Sequence, residues 1–235
     1  MAPRRAPESR LRELVTAATA VFIARGYQRT QMADVAAAMG VAKGTLYLYV
    51  DSKEALFDLL LRRADASAPL EPPAALPIPS PPPGRILRYV RERLAANPPS
   101  PTLERILRSG RSARPRRDLE AILRETHQVM ARNRTGIKLV DRCAADYPEL
   151  AAVWFGAGRG GLLVPLTRYL ELGIRGGWLH PVSDVAAAAR LVLECLVFWA
   201  VHRHWDPSPQ PIDAGAAEDI VVDMLARALL AGGRR

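Results

Sequence analysis

The sequence is poor in the features on which secreted and β-rich proteins depend. Its two cysteines, Cys143 and Cys195, are too few for a disulfide framework, so a reducing, cytoplasmic environment is expected. The N-terminus lacks the apolar run of a signal peptide. No segment alternates between apolar and polar residues as a strand hairpin does, which favours a helical protein.

Patterns for catalysis and metal binding are also missing. No Ser-His-Asp set or carboxylate pair stands out, so we predict no catalytic residue, cofactor or metal site. His202 and His204 lie two residues apart and would point to different faces of a helix. The segment Gly156–Gly161 has dinucleotide-binding spacing, but that fingerprint requires a preceding strand, and helical patterns surround it here. A cofactor-dependent enzyme using this segment is the alternative; small residues that let a second helix approach are favoured.

The longest apolar run is short for a bilayer crossing, which needs about 20 apolar residues. The longest apolar stretch, 185–201, contains Arg190 and Glu194 near its middle, where charges disfavour a membrane helix. It is better interpreted as a helix that is buried on several sides, so no membrane partner is predicted.

Positive charge is present in excess. The net charge of +9 favours a polyanionic partner. Residues 85–117 alone hold ten basic and two acidic side chains. The basic run from Arg105 to Arg117 could attract an acidic effector or flank DNA, although a solvated face is the leading explanation.

Residues 30–50 have the pattern of two short helices joined by a tight turn. Thr30 is suited to cap the first helix, and Gly40 supplies the left-handed residue that ends it. A second helix begins at about Ala42. This arrangement is a helix-turn-helix, whose second helix enters the major groove of DNA.

The second helix separates its residues by face. Leu46 and Val50 share the side that packs inward, whereas Gly44 and Leu48 lie on the opposite side. An exposed leucine can meet thymine methyl groups, and a glycine lets the backbone come close to DNA. Neighbouring hydroxyls suit phosphate oxygens, and for Tyr49 packing between helices is the alternative.

Lys53 is expected in the first turn of the next helix, which Asp51 or Ser52 caps. A cation opposes the helix dipole there, so its position favours a role in gripping a phosphate. A solvated surface lysine is the alternative.

These motifs resemble the N-terminal domain of the TetR family of bacterial transcriptional regulators. The resemblance covers about the first quarter of the chain, and includes Lys43-Gly44-Thr45-Leu46-Tyr47 and Ser52-Lys53-Glu54-Ala55-Leu56. Leu48 stands where polar or aromatic residues are frequent in the family, so no base preference is carried over. The predicted DNA-binding residues are Thr30, Gln31, Lys43, Gly44, Thr45, Tyr47, Leu48, Tyr49 and Lys53.

The chain is predicted to be all-α, with a helix-turn-helix DNA-binding domain over residues 1–66 and a ligand-binding and dimerisation domain over 85–235. Residues 67–84 contain eight prolines, which exclude regular helix and indicate an extended linker or loop. Helical patterns are placed at about 9–25, 85–96, 102–108, 118–145, 149–172, 183–204 and 214–231.

The helix predicted at 118–145 has an apolar stripe with polar interruptions. Thr126 and Asn133 break the stripe, and His127 adjoins it. Buried polar groups need partners, which a bound small molecule would supply, although side chains and water do so more often. The predicted ligand-binding residues are Thr126, His127, Met130 and Asn133.

The resemblance implies a homodimer, joined through the helices at about 149–172 and 183–204, that binds a near-palindromic operator in double-stranded DNA. It also implies a repressor released by a small-molecule effector. A DNA-binding regulator without ligand control is a further alternative, because the proline-rich segment puts the coupling between the domains in question.

Overall fold

The computed structural model describes residues 7–64, 73, 75–96 and 100–231. Within these ranges the chain is all-α, as predicted, and its only β-pairing is two isolated bridges, Val50 with Ile78 and Leu179 with Leu230. The α-helices are α1 (Pro7–Arg25), α2 (Met32–Ala38), α3 (Lys43–Leu46), α4 (Lys53–Arg63), α5 (Arg85–Ala96), α6 (Pro101–Ser109), α7 (Pro115–Arg132), α8 (Arg134–Ala144), α9 (Pro148–Ala151), α10 (Arg159–Arg175), α11 (Val185–Ala200) and α12 (Ala214–Leu229).

The chain forms two compact units. The N-terminal unit contains the described residues up to Glu92 together with Thr135–Trp154, and the C-terminal unit contains Arg93–Arg134 and the described residues from Phe155 onward. The contacts thus group α8 with the first helices of the chain. The functional boundaries at 1–66, 67–84 and 85–235 remain a prediction.

In the N-terminal unit, α1 packs against α2 and α4. Its buried face follows the helical period: Leu14, Ala18 and Phe22 are fully buried. Phe22 stacks on Phe57 of α4, with ring centroids 5.3 Å apart. This apolar contact fixes α1 and α4 as the support on which the two short helices lie.

In the C-terminal unit, α7 is central and packs against α6, α11 and α12, while α10 packs against α6 and α11. Ser100 caps α6, since its Oγ accepts from the amide of Leu103 at 3.0 Å. Glu125 of α7 then accepts from the hydroxyls of Ser100 at 2.6 Å and Thr102 at 2.7 Å. This carboxylate therefore ties the start of α6 to the middle of α7.

The prediction of a single helix over 118–145 is wrong, because the structure has two helices there, α7 and α8, which are separated at Asn133. The Asn133 backbone leaves helical geometry, with φ −102° and ψ 15°. Its side-chain amide donates to the carbonyl of Val129 at 2.8 Å, and its backbone amide donates to the same carbonyl at 3.3 Å. Asparagine ends the helix through a local bond that apolar periodicity does not reveal.

The two late helices are confirmed, with different ends. A π-helical turn, Ala152–Gly158, joins α9 to α10, so the helical run extends over Pro148–Arg175. After α11, a short 3₁₀-helix covers His202–Trp205. The range predicted as one helix, 183–204, is therefore covered by two helical segments in the structure.

The proline-rich segment lies partly outside the described residues, which omit 67–72 and 74. Residues 75–84 contain no helix, as predicted. They are not a bare linker, however, because Ile78 is 8% exposed and pairs with Val50.

Candidate DNA-binding site

The start of α2 differs from the prediction. Gln31, not Thr30, is the N-cap, and the carboxylate of Asp34 accepts from the Gln31 amide at 2.9 Å. Thr30 is 2% exposed, and its hydroxyl donates to the carbonyl of Gly26 at 2.6 Å. The expected N-cap role of Thr30 is therefore wrong, and its hydroxyl is occupied inside the fold. Gln31 is exposed, as a DNA contact requires.

The recognition helix α3 presents the expected face. Gly40 has φ +66°, the left-handed geometry that lets α3 follow α2 at once. Leu46 and Val50 are fully buried, whereas Leu48 is 66% exposed. A leucine so exposed gains nothing from the fold of this unit, so its position favours an external apolar contact.

The rest of this face is small, basic and hydroxyl-bearing. Lys43 and Gly44 are exposed, Tyr47 is 41% exposed, and Thr45 and Tyr49 are half-buried. A Cβ added at Gly44 would meet no atom within 4 Å, so the fold of this chain does not require glycine there. The open space beside Gly44 would let another molecule come close to the backbone of α3.

Lys53 occupies the first position of α4, which Ser52 caps by accepting from the amide of Ala55 at 3.0 Å. Its Nζ donates to the carbonyls of Tyr27 at 3.1 Å and Gln28 at 3.4 Å. It also lies 4.6 Å from the centre of the Tyr27 ring. Lys53 thus holds the turn between α1 and α2, and its predicted phosphate contact would have to share the ammonium with these carbonyls.

The α1–α2 turn is held from its other side by residues that sequence reasoning missed. The carboxylate of Asp146 accepts from the amides of Tyr27 at 2.8 Å and Gln28 at 3.1 Å. Tyr147 stacks on Tyr27, with ring centroids 4.8 Å apart. We call Asp146, Tyr147 and the neighbouring Arg142 the α8 clamp. Arg142 donates to the carbonyls of Ile23 at 2.9 Å and Ala24 at 3.2 Å, at the end of α1.

The α8 clamp explains why residue 26 is a glycine. Gly26 has φ +84°, and a Cβ at this position would lie 2.6 Å from Asp146 Oδ2. Glycine is therefore needed both for its backbone geometry and for the close approach of the carboxylate. Nothing in the sequence pairs Gly26 with a residue 120 positions later.

The turn is also tied to α4 through a partly buried hydrogen bond. The Tyr27 hydroxyl donates to Glu54 Oε1 at 3.0 Å. Burial raises the pKa of the Tyr27 hydroxyl, and the Glu54 carboxylate raises it further. Burial would also raise the pKa of Glu54, but hydrogen bonds from its own backbone amide and from Tyr27 outweigh it and lower that pKa. The pair remains a phenol bound to a carboxylate at neutral pH.

The described residues 14–60 match the model of a known family, the bacterial regulatory proteins of the tetR family. Over this stretch the chain matches the N-terminal domain of the TetR family. Its N-terminal unit therefore carries the helix-turn-helix DNA-binding domain of that family. No curated protein matches the sequence.

Solved structures share the TetR fold over nearly the whole chain. The ketosteroid transcriptional regulator KstR2 of Mycobacterium tuberculosis has a TM-score of 0.57 and 19% identity, covering 97% of this chain and 98% of that one. A tetR-family regulator from Rhodococcus RHA1 has a TM-score of 0.54 and 19% identity, covering 94% and 97%. The TetR-family regulator PfmR of Thermus thermophilus has a TM-score of 0.52 and 22% identity, covering 94% and 99%.

In the C-terminal unit, α6, α7, α10 and α11 enclose a small apolar cleft. Its volume is about 10 Å³, roughly what one water molecule needs. Thr126 is the only predicted ligand-binding residue that lines it, and its hydroxyl donates to the carbonyl of Ile122 at 2.7 Å. The cleft is lined by Leu103, Ile122, Leu123, Thr126, Leu162, Leu166, Leu193 and Leu196.

The other three predicted ligand-binding residues lie away from the cleft lining. Met130 is buried at 5% exposure. Asn133 accepts from Arg93 at 3.3 Å and ends α7, so its polar group has protein partners. The polar interruption at Asn133 is thus satisfied within the protein, which was the commoner of the two interpretations.

His127 is 4% exposed and lies beside Glu218 of α12. Its Nδ1 is 3.5 Å from Glu218 Oε2, too long for a strong hydrogen bond. Burial lowers the pKa of His127; Glu218 opposes this effect, and Arg203 and Arg124 reinforce it. The imidazole is therefore neutral at pH 7 and is the least satisfied polar group on α7.

The remaining sequence patterns carry no site in the described part of the chain. His204 Nε2 lies 3.0 Å from Arg134, and no group of three or more potential metal ligands occurs there. Gly156 and Gly158 lie in the π-helical turn without a preceding strand, so the context of a dinucleotide fingerprint is missing among these residues. In the basic segment, Arg105 pairs with Asp118 at 2.8 Å, which leaves a largely solvated face.

Proposed function

We propose that this chain is a homodimeric transcriptional regulator that binds a near-palindromic operator and is released from it by a small-molecule effector. The observation that carries the proposal is the exposed face of α3, where Leu48 and Gly44 serve no need of the fold. One such short helix reads too few base pairs for useful specificity, so two copies are required.

The exposed surface of α10 and α11 supports dimerisation. Leu191 and Phe198, seven residues apart on α11, are 63% and 43% exposed, and Val164 of α10 is 53% exposed. Large apolar side chains clustered on two neighbouring helices favour a covered surface. Such a surface is what a four-helix interface between two copies would bury.

The glycines at the start of α10 support the same interface. A Cβ added at Gly156, Gly160 or Gly161 would meet no atom within 4 Å, so this chain's own packing does not need glycine there. Small residues let a partner helix come close. The helical run Pro148–Arg175 is also long and apolar enough to span a membrane by length and composition, and 22% of that apolar window is buried. A partner subunit accounts for this exposed apolar surface without placing Arg159 and Arg168 in lipid.

The effector would enter the C-terminal unit by opening the apolar cleft. Its volume of about 10 Å³ holds no effector as it stands, so binding requires a conformation in which α6, α7, α10 and α11 separate. The lining predicts an apolar effector with at most one or two polar groups, one of them meeting Thr126. A regulator without ligand control is the second candidate, which the closed cleft favours.

The DNA-binding test is selection of duplexes from a random library by the purified protein. We expect a near-palindromic site whose half-sites are separated by about one or more helical turns. Replacing Leu48 with alanine should alter the selected bases, because Leu48 presents an apolar group to the groove. Replacing Lys43 should weaken binding to all sequences and flatten its salt dependence. A protein that selects no sequence at modest salt contradicts the proposal.

The effector test uses that selected operator and a panel of apolar compounds. A compound that releases the operator should release it less well from the Thr126→Val variant, which keeps the side chain's shape but loses its hydroxyl. If no compound changes operator binding while the protein binds DNA tightly, regulation without ligand control is the better account.

A further inference from the structure

Part of the proline-rich segment is built into the DNA-binding unit. The amide of Ile78 donates to the carbonyl of Tyr49 at 2.8 Å, and the amide of Asp51 donates to the carbonyl of Ile78 at 3.0 Å. The hydroxyl of Ser80 donates to that of Ser52 at 2.7 Å. These contacts fall directly after the recognition helix and at the cap of α4. We call residues 77–80 the proline brace.

The brace supplies what the recognition helix lacks. With four helical residues, α3 is too short to be stable by itself, so its orientation depends on the segments at its two ends. At its beginning, Gly40 and Ala42 connect it to α2. At its end, the Tyr49 carbonyl and the Asp51 amide both bond to the backbone of Ile78. Among the described residues, Ile78 is the one backbone partner that they have outside the turn itself.

The contact is buried as well as hydrogen-bonded. Val50 is fully buried and Ile78 is 8% exposed, so both residues of the bridge lie in the interior of the unit. Backbone hydrogen bonds shielded in this way resist opening. Prolines on both sides of Ile78 restrict its backbone, which lowers the entropy lost when the segment is held in place.

We propose that the proline brace is a positioning element for DNA reading, which fixes the end of the recognition helix and thereby the angle at which Tyr47 and Leu48 meet the groove. This inference rests on the proposed DNA-binding function. It assigns to residues 77–80, outside the helix-turn-helix, a share in sequence specificity. Base contacts depend on angle, whereas phosphate attraction tolerates a shifted helix. Loosening the brace should therefore lower specific binding and leave non-specific binding nearly unchanged.

The test compares three variants of Ile78 in the full-length protein. Ile78→Val keeps both backbone bonds and most of the packing, Ile78→Ala keeps the bonds alone, and Ile78→Pro removes the amide that donates to Tyr49. Affinity is measured for the operator selected by the wild-type protein and for an unrelated duplex of equal length. The control is Ala75→Pro, a proline introduced at an exposed position of the same segment.

We expect Ile78→Pro to weaken operator binding about tenfold, the scale of one lost hydrogen bond with its packing, and to leave binding of the unrelated duplex within about twofold. Ile78→Val and Ala75→Pro should bind the operator as the wild type does, with Ile78→Ala between. Hydrogen exchange of the Asp51 amide should quicken in Ile78→Pro, which shows that the brace has opened.

Two results would overturn the inference while the proposed function stands. One is undiminished operator binding by Ile78→Pro with fast exchange at Asp51, and the other is an equal loss for both duplexes together with a lower melting temperature. If Ile78→Pro does not fold, Ser80→Ala takes its place, because it removes only the hydroxyl bond to Ser52. Ser80→Ala should reduce the ratio of the affinity for the operator to that for the unrelated duplex by about threefold. An unchanged ratio overturns the inference. A wild-type protein that selects no operator overturns the proposed function itself.

Discussion

Replacement of Leu191 with alanine tests the proposed dimer most directly. Leu191 is 63% exposed on α11, so most of its side chain remains to be buried by a partner. Full burial of a leucine is worth roughly 1.5–3 kcal/mol, and the remaining share is therefore about 1–2 kcal/mol per copy. In a two-fold symmetric interface each residue counts twice, which gives roughly 2–4 kcal/mol per dimer.

This energy predicts a large shift in the dimerisation equilibrium. Even the lower figure raises the dissociation constant by about thirtyfold. Sedimentation velocity over a dilution series from micromolar to nanomolar protein measures the shift. The fold of each subunit should persist, because Leu191 contributes little to its own core, and far-ultraviolet circular dichroism checks this. Operator binding should fall in parallel, since the two recognition helices would no longer be linked.

Met224 of α12 provides the matched control. It is 62% exposed, almost the same fraction as Leu191, but lies on a helix outside the proposed interface. Met224→Ala should leave the dissociation constant unchanged. A Leu191→Ala variant that dimerises as the wild type does would refute the assignment of the interface to α11, and a loss confined to Met224→Ala would move the interface to α12.

Three further results are expected from the same structure. Asp146→Asn should weaken operator binding severalfold, because it loosens the α1–α2 turn. The control Glu149→Gln removes the same charge nearby and should strengthen binding slightly, because it reduces repulsion of DNA. Equal effects of the two variants in a filter-binding assay would show that the α8 clamp has no role in DNA binding. The pKa of His127 is lowered, so this residue contributes stability above the unfolded value of 6.5 that is lost as the pH falls below it. His127→Gln should therefore flatten the decline of the free energy of unfolding below pH 6.5, with His180→Gln, at an exposed position, as the control variant. Lys53→Ala should both lower the melting temperature and weaken operator binding, since Lys53 holds the carbonyls of Tyr27 and Gln28; an unchanged melting temperature would show that these bonds contribute nothing.

Local patterns predicted which side of α3 is buried and where α2 ends, because these features depend on neighbours in sequence. The buried and exposed sides of α3 follow from helical spacing, and Gly40 ends α2 because of its own backbone freedom. The same reasoning failed at Thr30, where the cap moved by one residue and the hydroxyl turned inward to the Gly26 carbonyl. A hydroxyl can satisfy itself at either place, and only the path of the preceding turn decides between them.

Longer-range choices could not be made from periodicity. Along α11, the spacing marks an apolar helix but does not say which leucine faces its own subunit; Leu196 lines the cleft and Leu191 faces outward. That choice depends on which helices pack beside α11. The end of α7 at Asn133 likewise comes with a side-chain bond to the Val129 carbonyl that apolar periodicity does not reveal.

The sequence by itself determined the all-α class, the helix-turn-helix and the residues that its second helix presents, since these follow from spacings of three or four residues and from single glycines. Only the tertiary structure decided what holds that motif in place. Asp146 reaches the Tyr27 amide across 119 residues, and Ile78 returns to Tyr49 from within a segment whose prolines predicted an extended linker. Such contacts join groups that are common everywhere in the chain, and they become specific only when packed helices bring two distant segments together.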